Sequence, residues 1–223
     1  MVERFNYVSS WVATRVCMEE RTKDRVRLIS KMIQIAQKLR AMNNFNGLMA
    51  ILSGLNRGPV YRLKQTIAEV EKKKEGRIYR VWQELIALTS SDHSYNVIRK
   101  AIKSVSPPSI PYLGMYMTDL TFIEEGNKKF LTEHKLINFY KRRLTAATIG
   151  DIQTYQNLGY SIPHLPEIQA KLQGEPTFEE DVLYELSLYL EPRPGQYVPS
   201  ILPFLQLKGC ARINLKSSSL VSL

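Results

Sequence analysis

The chain has 223 residues, 44% of them apolar and 23% charged. These are ordinary globular values, which exclude a wholly disordered chain and allow one substantial domain or two small ones. A net charge of +10 fits nucleic acid, an anionic membrane surface or an acidic protein as partner, and chooses none of them. Two cysteines, Cys17 and Cys210, make neither a disulfide framework nor a zinc spacing. No apolar run reaches membrane-spanning length, no secretory h-region follows Met1, and no prenylation cysteine stands near Leu223. The expectation is a soluble, cytosolic chain.

Helical periodicity dominates from there on. Residues 24–43 carry Val26, Ile29, Ile33, Ala36 and Leu39 at helical spacing, with Asp24 near the start and Asn43 as a stop. A second helix is predicted over 44–55, capped by Asn44 or Asn46, and Pro59 opens a short turn after it. Helices over 63–74 and 77–88 follow, the latter with an apolar stripe of Ile78, Val81, Trp82, Leu85 and Leu88. The run Glu71-Lys72-Lys73-Lys74-Glu75 reads as a solvated face and loop.

Residues 95–105 form a short helix ended by Pro107-Pro108. The next runs over 115–125 and stops at Gly126-Asn127, where a left-handed cap is expected. The longest is predicted over 134–157, with Ile137, Tyr140, Leu144, Ala147 and Tyr155 along one side. Short helices over 167–173 and 179–190 close the series. Strand alternation and internal repeats are missing from the pattern. Residues 1–195 read as one domain. Residues 196–223, with Ser217-Ser218-Ser219, read as a tail expected to be poorly ordered.

The chemistry of bond-making enzymes is not apparent. There is no glycine-rich phosphate loop, Walker pattern or GxSxG elbow. His93, His134 and His164 have no ligand spacing, so no metal or cofactor is expected. The basic residues are spread over many segments without a recognised nucleic-acid module, and nucleic acid is not expected as a partner.

Three stretches stand out. Asn43-Asn44-Phe45-Asn46-Gly47 leads through Leu55-Asn56 into Pro59-Val60-Tyr61-Arg62-Leu63. Pro107-Pro108-Ser109-Ile110-Pro111-Tyr112-Leu113-Gly114 leads into Thr118-Asp119-Leu120-Thr121-Phe122-Ile123-Glu124-Glu125-Gly126-Asn127. Leu136-Ile137-Asn138-Phe139 precedes Lys141-Arg142-Arg143 and Ile152-Gln153-Thr154-Tyr155-Gln156. With Phe5-Asn6 to Trp11-Val12 in front and Ser187-Leu188 to Glu191-Pro192-Arg193 behind, their order and spacing closely resemble the catalytic domain of Ras guanine nucleotide exchange factors. Family members usually carry further helical sequence before the position of Phe5, so the domain is read as lacking its usual first helices.

The resemblance implies an all-α fold, a helical bowl with a protruding antiparallel hairpin made here of 115–125 and about 136–156. It implies a guanine nucleotide exchange factor acting on a Ras-subfamily small GTPase without covalent chemistry. The basic charge balance allows an anionic membrane surface as a further partner. Glu125 is then the carboxylate placed where phosphate or magnesium would sit, and Thr121 the neighbour at the magnesium site. For Glu124 and Glu125 the residues alone also allow a solvent-exposed helix end or a local ion pair. Met49, Tyr95, Tyr112 and Met115 match a pocket for an aromatic residue of the GTPase's second switch, or else ordinary core. Asn56 matches a contact to the same switch, or a helix C-cap, or both. Arg62, Lys141, Arg142 and Arg143 read as structural or solvated rather than as partners of acidic switch residues. Two other readings stand beside this one: a GTPase-binding fragment or scaffold impaired in exchange, and a basic helical module for nucleic acid or membrane.

Overall fold

A computed structural model describes residues 1–73, 75–131, 136–193 and 195. The described residues form α1 (Val2–Met18), α2 (Thr22–Ala41), α3 (Phe45–Leu55), α4 (Gly58–Tyr61), α5 (Lys64–Lys72), α6 (Arg77–Leu88), α7 (Asp92–Lys103), α8 (Leu113–Gly126), α9 (Phe139–Thr154), α10 (Pro166–Gly174) and α11 (Glu180–Leu190). Among the described residues there is no strand, only two isolated bridges, Asn44 with Ile110 and Phe130 with Ile137. The all-α expectation holds. His134, Cys210 and the 196–223 tail lie outside the described residues. The helix predicted over 134–157 as the longest begins only at Phe139, after Ile137 has bridged to Phe130 and Asn138 has capped it, and ends at Thr154; its 16 residues are fewer than the 20 of α2.

The main core follows from helical stripes meeting one another. In α2, Val26, Ile29, Met32, Ile33 and Ala36 are buried at three- and four-residue spacing. They join Leu48, Ile51, Leu52 and Leu55 of α3, Ile78, Trp82 and Leu85 of α6, and Val182, Leu183 and Leu186 of α11. Helix α1 completes this core with Val12, Ala13, Val16 and Cys17. Periodicity did not single out α1, because much of its buried face is small or polar: Ser9, Ala13, Thr14 and Cys17. Cys17 is an inert thiol, pushed up to about 12 chiefly by its burial. The small face lets α1 lie close on α3. A Cβ on Gly54 would stand 2.6 Å from the Ser9 carbonyl oxygen and 2.7 Å from Val12 Cβ. Only glycine fits there.

Local chemistry sets the helix ends. Asn43 adopts a left-handed conformation (φ 59°) after α2, and Asn44 caps α3 by accepting from the Gly47 N–H at 2.8 Å. Helix α5 has no cap of its own. The carboxylate of Glu191, 126 residues further on from Gln65, accepts from the Gln65 N–H (3.0 Å), the Thr66 N–H (2.9 Å) and the Thr66 hydroxyl (2.7 Å). A negative group at a helix N-terminus is favoured by the dipole as well as by the bonds. Arg25, 1% exposed, neutralises it at 3.8 Å and donates also to Thr66 Oγ1, Thr22 Oγ1 and the carbonyls of Glu19 and Glu20. Arg62 closes the same cluster with bonds to the carbonyls of Ser187 and Glu191, so it is a structural residue.

A smaller second core holds Phe45, Ile98, Ile102, Met115 and Tyr116, with Met49, Tyr95, Tyr112, Ile152 and Tyr155 packed on it. It anchors the start of α8 and the end of α9. Those two helices pack on each other, and beyond the root their side chains are largely exposed, Phe122 at 65% and Phe139 at 70%.

Two expectations change here. The predicted left-handed cap at Gly126-Asn127 does not form: Gly126 ends α8 and Asn127 is extended (φ −128°, ψ 123°). The predicted stripe of the long helix is displaced. Ile137, Tyr140 and Ala147 are exposed, and the inward face runs through Lys141, Leu144, Thr145, Thr148, Ile152 and Tyr155. A single facing helix covers only a narrow strip, and the strip it covers on α9 begins at a lysine.

Candidate functional site

Helix α8 carries the residues assigned to the nucleotide side. Thr121 and Glu125 are one turn apart, hence on one face, and both are exposed. The Thr121 hydroxyl donates back to the Met117 carbonyl at 3.1 Å, which leaves its methyl outward. Met117 (52% exposed) and Phe122 border the same face. Phe122 was given no role from the sequence, where beside Ile123 it reads as one more apolar helix residue.

Lys141 replaces the missing cap of α8. Its ammonium, on a side chain 3% exposed, donates to the carbonyls of Glu124 (2.9 Å) and Asn127 (3.0 Å) and pairs with the Glu124 carboxylate at 2.8 Å. A cation at a helix C-terminus satisfies orphan carbonyls and opposes the dipole. The hydrogen bond from Lys141 holds the Glu124 carboxyl below the usual carboxylate range. The local ion pair expected as one alternative is thus real for Glu124. Glu125, next to it, remains exposed. Asn138 fixes the other side of the turn: its Oδ1 caps α9 through the Lys141 N–H (3.2 Å), and its amide donates to the Lys128 carbonyl (2.9 Å).

At the root of the hairpin the four predicted pocket residues do come together. Tyr95 and Tyr112 meet edge-on with ring centroids 5.7 Å apart, and Phe5 meets Tyr112 at 5.6 Å. Met49, Tyr95 and Tyr112 are half-buried, while Met115 is 1% exposed and serves the core beneath them. Burial first, and Tyr95 beside it, raise the Tyr112 hydroxyl above its ordinary value. Gly114 leaves room for this ring: a Cβ there would lie 2.3 Å from the Tyr112 hydroxyl oxygen. Asn56 is the C-cap of α3, its N–H on the Leu52 carbonyl at 2.9 Å, and its side chain is exposed.

Tyr95 is positioned by an uncommon turn. His93, Ser94 and Tyr95 all have positive φ (48°, 56° and 63°) at the start of α7. Each such non-glycine residue costs about 1 kcal/mol or more. Arg99 ties the turn down: Nε donates to the Ser94 carbonyl at 2.7 Å, and Nη2 pairs with Asp119 of α8 at 2.8 Å. No sequence signal paired these two, which stand 20 residues apart.

Among the described residues no group of three His, Cys, Asp or Glu side chains is placed to hold a metal ion, and no helix is long and apolar enough to cross a membrane.

The RasGEF domain profile matches residues 1–143. Ras guanine nucleotide exchange factor J of Dictyostelium discoideum is 42% identical over 194 residues, covering 86% of this chain and 23% of that protein. Ras-specific guanine nucleotide-releasing factor 2 of Mus musculus is 39% identical over 192 residues, covering 86% of this chain and 16% of that protein. Ras-specific guanine nucleotide-releasing factor 1 of Homo sapiens is 36% identical over the same length, covering 86% and 15%. The chain therefore spans less than a quarter of the length of these relatives. A match over most of its length to one domain leads to one statement: the chain belongs to the RasGEF domain family.

Proposed function

We propose that this chain promotes release of guanine nucleotide from a Ras-subfamily small GTPase by setting the α8–α9 hairpin beside the nucleotide site. The observation that carries the reading is the pairing of two surfaces. Thr121 and Glu125 share an exposed face of α8, and Met49, Tyr95 and Tyr112 lie together, half-buried, at that helix's root, which we read as an aromatic recess. The printed names of the relatives, Ras guanine nucleotide exchange and releasing factors, agree with it.

The mechanism needs no bond to form or break. A picomolar nucleotide complex is held by roughly 16 kcal/mol. A protein that prefers the nucleotide-free GTPase lowers that affinity, and linkage makes the weakening mutual. The recess grips an aromatic side chain of the second switch, with Asn56 at its edge. Glu125 brings negative charge to the phosphate and magnesium positions, and Thr121 occupies space there. Met115 acts from below by supporting Tyr95 and Tyr112. The same complex forms with GDP or GTP leaving, so direction comes from the cell's nucleotide pool. The place of action is the cytosol, at the membrane that carries the GTPase.

The test is release of a fluorescent nucleotide from a panel of Ras, Rap and Ral proteins. The wild-type chain accelerates release from at least one. Asn56→Ala weakens the complex by about 5- to 30-fold, the effect of losing one interfacial polar contact, and Glu125→Ala slows release. Binding without release identifies a scaffold instead. Unchanged release in both variants, on a verified GTPase, refutes the site assignment.

One observation favours an anionic membrane surface as a further partner. Arg21, Lys23, Arg27, Lys72 and Lys73 line an open groove of about 970 Å³ between α2 and α5, where Asp24 pairs with Arg21 and Glu69 with Lys72. Sedimentation with vesicles containing phosphatidylserine, lost at high salt, is the expected result.

A further inference from the structure

We infer that Arg99 is a positioning residue that makes the aromatic recess and the nucleotide-facing hairpin one rigid unit; this rests on the exchange reading above. Tyr95 lies in the recess, and the backbone that carries it is a run of three left-handed residues. A turn in that conformation persists only where its surroundings hold it. Within the turn the Tyr95 N–H reaches the Ser91 carbonyl at 3.3 Å and the Tyr95 ring meets Tyr112; the polar group that ties the turn to the body of α8 is the Arg99 guanidinium. Arg99 Nε donates to the Ser94 carbonyl at 2.7 Å, immediately before Tyr95. Its Nη2 donates to Asp119 Oδ1 at 2.8 Å and to the Met115 carbonyl at 3.4 Å, and its Cζ lies 5.9 Å from the Tyr116 ring centroid.

Those contacts fall along α8 between the recess and the site. Met115 lies under Tyr95 and Tyr112, Asp119 is one turn further on, and Thr121 and Glu125 follow. One planar fork thus fixes the turn and the register of α8 together. Lysine, with one nitrogen, cannot direct rigid donors to both places. The pair is about 30% exposed on each side (27% and 31%), so its removal leaves no stranded buried charge. Its loss frees α8 from the turn without dissolving the core under it.

This predicts a separation of binding from release. In Arg99→Ala the Tyr95 N–H keeps its bond to the Ser91 carbonyl and the Tyr95 ring its contact with Tyr112, so the recess still captures the GTPase, but the hairpin is presented loosely. Maximal release falls at least tenfold, while the concentration of chain giving half-maximal release stays within about threefold. Asp119→Asn, which keeps side-chain shape, has the same signature in weaker form. The double variant Arg99→Ala/Asp119→Ala is no worse than Arg99→Ala, because the two act through each other. Arg99→Lys falls between alanine and wild type.

A second readout needs no GTPase. Hydrogen exchange of the free chain shows amides 117–123 opening at least tenfold faster in Arg99→Ala, with α1, α2 and α3 unchanged. Equal losses in maximal rate and half-saturation, additive effects in the double variant, a fully active Arg99→Lys, or unchanged exchange in α8 each overturn the inference. A wild-type chain inert on every GTPase of the panel refutes the exchange reading instead, and the exchange of amides 117–123 then decides the coupling by itself.

Discussion

Replacing Lys141 by methionine should unlock the hairpin while leaving the body folded. Methionine keeps the buried stem of the side chain and removes the ammonium. Two charge-assisted bonds are lost, to the Glu124 and Asn127 carbonyls at 2.9 and 3.0 Å. Such bonds contribute about 1.5–3 kcal/mol each where water cannot replace them. The carbonyls at this helix end can be rehydrated, which brings the net loss for both to about 2–3 kcal/mol. At about 1.4 kcal/mol per factor of ten, hairpin amides around residues 121–131 and 138–145 should exchange roughly 30- to 150-fold faster. Native-state hydrogen exchange measures this directly, with α1–α3 as the internal reference. The pH dependence adds a second signature. The Glu124 carboxyl is held below its ordinary value by Lys141. A depressed carboxyl stabilises the fold above its unfolded pKa, and that contribution is lost as the pH falls through the folded value. The wild-type hairpin should therefore loosen in that acidic window, and the Lys141→Met hairpin should not respond. Identical protection of these amides in the two proteins at neutral pH would refute the capping argument.

Two further substitutions probe the body. Gly54→Ala forces a methyl against the Ser9 carbonyl and Val12. Overpacking against backbone costs about 1–3 kcal/mol, which calorimetry should read as a melting temperature lower by roughly 2–10 °C; an unchanged value would mean that α1 and α3 part easily. Arg25→Met leaves the Glu191 carboxylate buried without its cation, costing about 3–5 kcal/mol in a urea titration. Arg25→Lys should recover little of it, since four of the five partners, Thr66, Thr22 and the carbonyls of Glu19 and Glu20, are met by N–H donors on all three nitrogens of the fork.

The sequence by itself determined the helices whose faces are strongly apolar and whose ends carry their own signals. Helix α6 begins and ends where its stripe and Gly76 place it, and α3 starts at the asparagine that caps it. The order of short motifs was enough to identify the family, and the residues it pointed to, Met49, Tyr95, Tyr112 and Met115, gather in one cluster at the root of α8. Periodicity missed α1, because a face of serine, alanine and threonine buries well only against a partner with a glycine opposite, and that partner is some 40 residues away. Tertiary structure alone decided the contacts that link distant positions: Glu191 capping α5, Lys141 capping α8 in place of the glycine motif, and Arg99 joining the turn at Tyr95 to Asp119. A helix end needs any suitable donor or acceptor within reach, and a residue far along the chain supplies it as well as a neighbour does. Local pattern therefore fixes where such groups are needed, while only the packed fold fixes which side chain arrives.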